Sequence, residues 1–453
     1  MKKMKKYIIL LVTGVFVASM LFEGIGCNNE TAEGTAEETA EGTAEKITLT
    51  FWVAFADVYE YIEWVGEKYH KENPNITIEA ILFPQRALDE KVSATLPAGE
   101  GGDIIFGELF SLKPYAEAGY VNFVPDDFVL WAEDNFPSEV IEITKLEDNG
   151  ESFIIPCILN TMGTYYNKDH FDEAGLTSPP ETMEEQMEYA KKLTKYDDDG
   201  NITRVGLDLR LGGGGWGIAD RFQNQAMIPY GVKFVEGTDG KWKAAYNNEQ
   251  GVEAVSYYLD AVHKYKVEGL ETKSDAEAFG LGVSSMFERE SWVVGYLKNN
   301  APEINYGTSF MPKGPGGWGN LIVTSGTIVS ENSSYKKEAW DFIKYFVNDE
   351  NAVELVSQTG WQASRINVDY SDAYKENPEI QTFIDSLTTP GYGLVTYDVI
   401  PNNVEFRTKF GEMLLEILKN PKFLDDSEAI LKALDEMAIE TNRMFDDYGV
   451  LAE

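Results

Sequence analysis

The chain has 453 residues, 43% of them hydrophobic and 25% charged, and 76 Asp and Glu outweigh 38 Lys and Arg for a net charge of −38 at pH 7. That length suits two compact lobes with substantial cores rather than one ordinary domain. The negative field repels phosphate backbones and anionic lipid headgroups, which argues against nucleic-acid partners and against adsorption of the folded body to a membrane.

Lys2, Lys3, Lys5 and Lys6 precede a mostly apolar run from Tyr7 to Phe22, closed by Glu23-Gly24-Ile25-Gly26-Cys27. This is the order of an export signal. The apolar run is short for a mature transmembrane helix, which needs about 20 residues. Gly26-Cys27 resembles a bacterial lipoprotein cleavage box, which predicts acylation of Cys27 after residues 1–27 have served as the signal; ordinary cleavage beside an incidental cysteine is the alternative. Two or three fatty chains, at about 0.8 kcal/mol per buried CH₂, make a durable anchor on the outer face of the cytoplasmic membrane. Residues 28–45 repeat Thr-Ala-Glu with Gly interruptions and no large apolar side chain, so they are expected to form a disordered acidic spacer. With Cys27 modified, Cys157 has no partner for a disulfide and stability must come from packing.

Folded sequence is expected from Lys46. Ile47, Leu49, Phe51 and Val53 alternate as in a strand, and Val58, Tyr61, Ile62, Val65 and Tyr69 recur at helical spacing until Asn73-Pro74. Ile76–Leu82 and Asp103–Phe106 read as further strands, and alternation of strand and helix predicts a mostly parallel sheet covered by helices. Thr182 with Glu185 three residues later forms a capping box that opens a helix through Leu193. Val252, Val255, Leu259 and Val262 mark a helix behind Asn248. Ala339, Trp340, Ile343 and Phe346 mark another over Lys336–Asn348, and two more cover Glu405–Leu418 and Ser427–Phe445.

The stretch ESFIIPCILNTMGTYYNKDHFDEAGLTSPPETMEEQMEYAKKLT places a proline-bearing strand before Tyr-Tyr-Asn-Lys, then Ala-Gly-Leu, then Pro-Pro and a capped helix. INYGTSFMPKGPGG and SGTIVSENSSYKKEAWDFIKYFVNDENAVELVSQTGWQASRINV follow later, after ITLTFW, NPNI, DIIFGE and AEAGYVNF have appeared in order. Together these resemble the sugar-type extracellular solute-binding proteins, family 1, the capture components of ABC importers, over essentially residues 46–445. The resemblance implies an α/β fold: a two-lobed, periplasmic-binding-protein-like (type II) clamshell with the ligand cleft between lobes. It also implies chain crossings near Ile155–Thr164, near Thr308–Gly314 and after Ser357. Residues 46–160 plus 310–357 would form the N-terminal lobe, and residues 161–309 plus 358–453 the C-terminal one. Its partners would be a carbohydrate ligand, oligosaccharide rather than monosaccharide, and ABC permease subunits in the membrane with their ATPase. The protein would act as a monomer and need no cofactor.

Catalytic patterns are weak beside this. His70, His170 and His263 have no second histidine at ligand spacing and read as exposed helix or turn positions, and no G-x-S-x-G elbow occurs. Cys157 beside Pro156 reads as a buried structural thiol. Gly212, Gly214 and Gly217 satisfy G-x-G-x-x-G after a strand-like VGLDLRL, but bulky Trp216 would obstruct approach to a pyrophosphate; a flexible loop presenting Trp216 is the expectation. Asp197–Asn201 resembles the start of a calcium loop, yet Lys195 and Gly206 occupy positions where an EF-hand needs carboxylates, so a polar turn is expected. Paired carboxylates for glycoside hydrolysis are not positioned by any pattern, which leaves an exported glycosidase as the enzyme alternative. A surface lipoprotein binding a protein or another polar solute is the third.

Sugar capture requires flat aromatic faces for pyranose rings and carboxylate, amide or guanidinium groups for hydroxyls. Candidates lie in loops at strand ends: Phe55 and Asp57 after the first strand, Glu108 and Phe110 after the Asp103 strand, Asn160 and Tyr165 around the first crossing. Further along the chain come Trp216, Trp292 in FERESWVVGY, Trp318, and then Trp361 and Arg365 beyond Gly360. Trp64 and Trp340 fall on helices and read as structural, while Tyr166 and Asn167 are expected to hold a helix start.

Overall fold

The structure, a computed structural model, describes residues 45–452 apart from 147, 239, 271, 273, 274, 388, 397–399, 401 and 402. Cys27 and the spacer before residue 45 lie outside the described residues. The period-two apolar pattern at the start of the folded body becomes β1 (Ile47–Val53), which pairs in parallel with β2 (Ile76–Leu82) and β3 (Ile104–Glu108). Between β1 and β2 the helix Ala56–Glu72 buries Val58, Tyr61, Ile62, Val65 and Tyr69, the set its spacing marks, and Asn73 ends it by donating to the Tyr69 carbonyl. β4 (Val121–Asn122) and β5 (Ile155–Asn160) join the same sheet antiparallel to a long later strand.

One residue beyond β5, the chain enters β6 (Met162–Asn167), which belongs to a different sheet. β7 (Lys195–Tyr196) and β8 (Ile202–Arg204) form a small hairpin, and β9 (Val235–Thr238) and β10 (Lys241–Ala244) another. β11 (Met286–Glu290) and β12 (Tyr306–Ser309) flank β6 antiparallel. The chain then returns to the first sheet through β13 (Gly319–Ser330), antiparallel to β3 and β5, and later through β14 (Gly393–Thr396), parallel to the start of β13.

The pleat of β11 shows how two cores are kept apart: Phe287, stacked on Tyr165, belongs to the core that holds Phe51 and Phe342, and Met286 to the one that holds Phe222, Tyr258 and Phe410. Helix caps follow the sequence signals. Asn167 Oδ1 accepts from the His170 amide at 3.0 Å, Thr182 Oγ1 from Glu185 at 3.1 Å and Asn248 Oδ1 from Gly251 at 2.9 Å. The Glu185 carboxylate closes its box on the Glu181 amide. Asp197 Oδ1 accepts from the amides of Asp199 and Asn201, which makes the acidic run a tight polar turn between β7 and β8.

Four expectations change. The first sheet is mixed rather than mostly parallel, because β13 runs antiparallel to β3, β4 and β5. The glycine run is no loop: Gly214–Phe222 is helical and continues into a π-helical turn, Gln223–Met227. VGLDLRL forms only isolated bridges, Val205 to Ser284 and Asp208 to Phe287. His170 and His263 are half-buried rather than exposed, bonded to Ser285 and to the Leu418 carbonyl, because each helix lies against a neighbouring element. Among the described residues no helix is long and apolar enough to cross a membrane.

Asn248→Ala should lower stability by about 1 kcal/mol through loss of the cap, read as a shifted urea midpoint at unchanged slope.

Candidate functional site

Glu108 stands at the corner where β3 ends and the helix Leu109–Glu117 begins. Burial pushes its carboxyl up to about 8, and the like charges of Asp89, Asp220 and Glu290 push the same way. On one side of this corner Phe55 packs edge-on against Phe106 and against Trp361, each at 5.7 Å between centroids. Trp361 follows Gly360, whose φ of +75° ends the helix Asp349–Thr359 and turns the chain back toward β1. Its indole Nε1 donates to Asp57 Oδ2 at 2.5 Å. Asp57 is half-buried, and desolvation raises its carboxyl despite that bond.

Trp361 lies 6.3 Å from Trp292, whose Nε1 donates to Glu290 Oε2 at 3.1 Å and whose face carries the Arg289 guanidinium at 4.9 Å. Glu290 in turn meets Arg221 Nη2 at 2.9 Å, and Arg221, 1% exposed, also meets Asp220 at 3.3 Å. Arg289 pairs with Asp275 at 3.2 Å. Alternating charges thus line the wall supplied by β11 and by the helix Gly214–Phe222.

That helix is placed by its glycines. Gly215 and Gly411 meet back to back where it crosses the helix Asn403–Leu418; a Cβ on Gly411 would fall 1.8 Å from the Gly215 carbonyl oxygen. The glycine run serves helix packing, and the close approach seats Trp216 over Arg407 at 5.6 Å and beside Phe110 at 5.9 Å. Arg407 is fully buried, donating to Gln223 at 2.5 Å and Asn403 at 2.7 Å. Next to this contact opens a cavity of about 740 Å³. Asp89, Glu108, Phe110, Lys113 and Tyr115 line it on the β3 side, and Trp242, Asn403 and Val404 on the other.

The expected residues therefore divide. Phe55, Asp57, Trp292 and Trp361 gather on one side of Glu108, Phe110 and Trp216 on the other, and Asn160 ends β5 nearby with its Oδ1 buried and lacking a hydrogen-bond partner. Three stand apart. Tyr165 is wholly buried, stacked on Phe287 at 5.0 Å and donating to the Glu290 carbonyl, because β6 turns that face into the core. Arg365, 3% exposed, is fixed by Asp349, Asn135 and the Val347 carbonyl under Trp131. Trp318 packs with Phe310 and Tyr392 and donates to the Met311 carbonyl. Trp242, Tyr115, Arg407 and Asn403 escaped the sequence reading. Trp242 sits in a hairpin, Tyr115 and Arg407 within helices, and no strand-end rule selects them.

With this geometry in place, the molecule is a two-lobed α/β binding protein of the periplasmic type. The structure of a cyclic α-maltosyl-1,6-maltose binding protein from Arthrobacter globiformis superposes with a TM-score of 0.72 at 20% identity, covering 87% of this chain and 99% of that one. Residues 64–382 match the family of bacterial extracellular solute-binding proteins, and the chain belongs to it. Relatives include a binding protein of Brucella abortus, 23% identical over 71% of this chain and 77% of its own length. The maltotriose-binding protein of Pyrococcus abyssi is 23% identical over 82% and 77% respectively. Members of this family are extracellular and bind solutes.

Buried carboxyls impose a pH dependence on this body. Glu288 is held by Gln186 and Gln225 and burial raises it to about 7; Glu268 is likewise raised to about 7 and Glu108 to about 8. Each folded-state value exceeds the unfolded one, so the native state holds more protons between about pH 4.5 and 8 and stability falls as pH rises through that window. Melting temperature should drop from pH 5 to pH 8, and Glu288→Gln should flatten the drop.

Proposed function

We propose that this chain captures a carbohydrate, an oligosaccharide in preference to a monosaccharide, in the cleft around Glu108 and delivers it to an ABC permease. The observation that carries this reading is the lining of the cavity: Phe110, Tyr115 and Trp242 offer ring faces, with half-buried Trp216 against Phe110, while Glu108 and Asn403 offer polar atoms to hydroxyls. The cavity is larger than one hexose needs, and two proteins that share its sequence or fold bind maltotriose and a cyclic maltosyl-maltose.

In this reading residues 46–160 with 310–357 form one lobe and residues 161–309 with 358–453 the other, with crossings where β5 passes to β6, where β12 passes to β13 and after Ser357, although β14 in the last segment pairs with β13 and so returns to the first sheet. Ligand bridging both lobes shifts an open ensemble toward closure, and the closed form docks on the permease. The acylated Cys27 holds the monomer to the outer face of the membrane, with the acidic spacer between. No bond in the sugar is made or broken.

Maltotriose at a hundredfold excess over Kd should raise stability by about 2.7 kcal/mol, seen as a higher melting temperature with a change in tryptophan fluorescence, and the sugar should be recovered unchanged. Absence of both responses across maltose, maltotriose and cyclic maltodextrins would sink the carbohydrate reading. Trp216→Ala should weaken binding at least tenfold, about 1.4 kcal/mol, by calorimetry.

A further inference from the structure

Across the cavity from Phe110 and Tyr115 stands Trp242, on the second strand of the hairpin β9–β10. A two-stranded hairpin is marginal in water, and a side chain on it draws support from the residue directly opposite. Opposite Trp242 is Gly237, which offers no side chain. That position has to be glycine, because a Cβ there would fall 1.8 Å from the Lys241 carbonyl oxygen. Support for the half-buried indole must therefore come from outside the hairpin.

The free edge of β10 receives it. The Trp242 amide donates to the Val450 carbonyl at 2.7 Å and the Ala452 amide donates to the Trp242 carbonyl at 3.0 Å, while Leu451 between them pairs with Trp242 in parallel. Lys241 Nζ adds a bond to the Gly449 carbonyl at 2.6 Å. Trp242 and Leu451 both pack against the second core. This short segment is itself fixed. Gly449, with φ of +71°, ends the helix Ser427–Asp447, and the Gly449 and Val450 amides donate back to the Asp446 and Phe445 carbonyls, each at 2.8 Å. The base of the hairpin is fastened separately, through the Ala244 amide to Asn442 Oδ1 and the hydroxyl pair of Tyr246 and Thr441, both at 2.8 Å. The helix thus holds the base, and residues 449–452 hold the part that borders the cavity.

We infer that Gly449–Ala452 is a positioning strand for ligand binding: it completes a three-stranded arm and fixes the Trp242 ring as a stacking face for a sugar ring opposite Phe110 and Tyr115. This rests on the cavity being a sugar site. Trp242 touches the ligand, and Leu451 and Ala452 act only through it.

Calorimetric titration of the full chain with maltotriose and a cyclic maltodextrin, beside amide hydrogen exchange, tests this. Leu451→Asp combined with Ala452→Pro removes the apolar contact and one donor; it should weaken binding about fivefold or more. Exchange of the Trp242 amide should speed up while that of Ala244, bonded to the helix, stays slow. Trp242→Ala should weaken binding at least as much. All three substitutions in one chain should cost no more affinity than Trp242→Ala alone, whereas a merely structural role would add its loss to that of the ring. Should Leu451→Asp prevent folding, Ala452→Pro alone carries the same comparison. Additive losses overturn the inference, and so does unchanged affinity in either the strand variant or Trp242→Ala; both results leave the sugar reading intact, since the unaltered chain binds. Failure of the unaltered chain to bind either sugar removes both readings.

Discussion

Arg221 sits 1% exposed between the helix Gly214–Phe222 and β11, and a guanidinium so placed has to be neutralised where it stands. Asp220 and Glu290 do this, and Glu290 is held in turn by Arg289 and by the Trp292 indole. Breaking one member would strand a buried charge, at a cost on the order of 3–5 kcal/mol. The position of Trp292, and through it Trp361 and Asp57, is therefore a consequence of a charge that cannot be left alone. The aromatic wall of the cleft is rigid because the ionic chain behind it is.

Much of the first sheet was legible in the chain. The alternation of Ile47, Leu49, Phe51 and Val53 has one physical solution when one face is buried, and the caps at Asn167, Thr182 and Asn248 are local chemistry that needs no tertiary knowledge. The glycine run was misread because its role is a contact with Gly411, almost two hundred residues away, and glycine looks the same whether it frees a loop or admits a neighbouring backbone. Tyr165 and Arg365 are themselves expected at the cleft, but side-chain direction decides their place: β6 turns Tyr165 inward, and Asp349 and Asn135 hold Arg365. Trp242 and Arg407 come to the site through a hairpin and a helix face, which strand-end reasoning does not survey.

The two sides of the cleft recognise ligand by different physics. Around Trp361 the indole nitrogens of both tryptophans are already committed to carboxylates, so what remains for a ligand there is ring face. On the Glu108 side the cavity adds polar atoms to ring faces, from Asp89, Glu108 and Asn403. A ligand lying across both meets ring face at one end and polar atoms at the other, and its orientation in the cleft follows from that asymmetry.

The π-helical turn Gln223–Met227 aims three successive amides at three separate elements. Gln223 accepts from Arg407, Asn224 from the Leu321 amide of β13, and Gln225 donates to Glu288 on β11. Such a turn is one residue longer than the α-helical path it interrupts. Deleting a single residue would restore regular winding and swing every following side chain by about 100°, the angle per residue of an α-helix, unfastening all three attachments together. In evolutionary terms this segment is a length that descendants of the chain can hardly change, even where the identities of its neighbours drift.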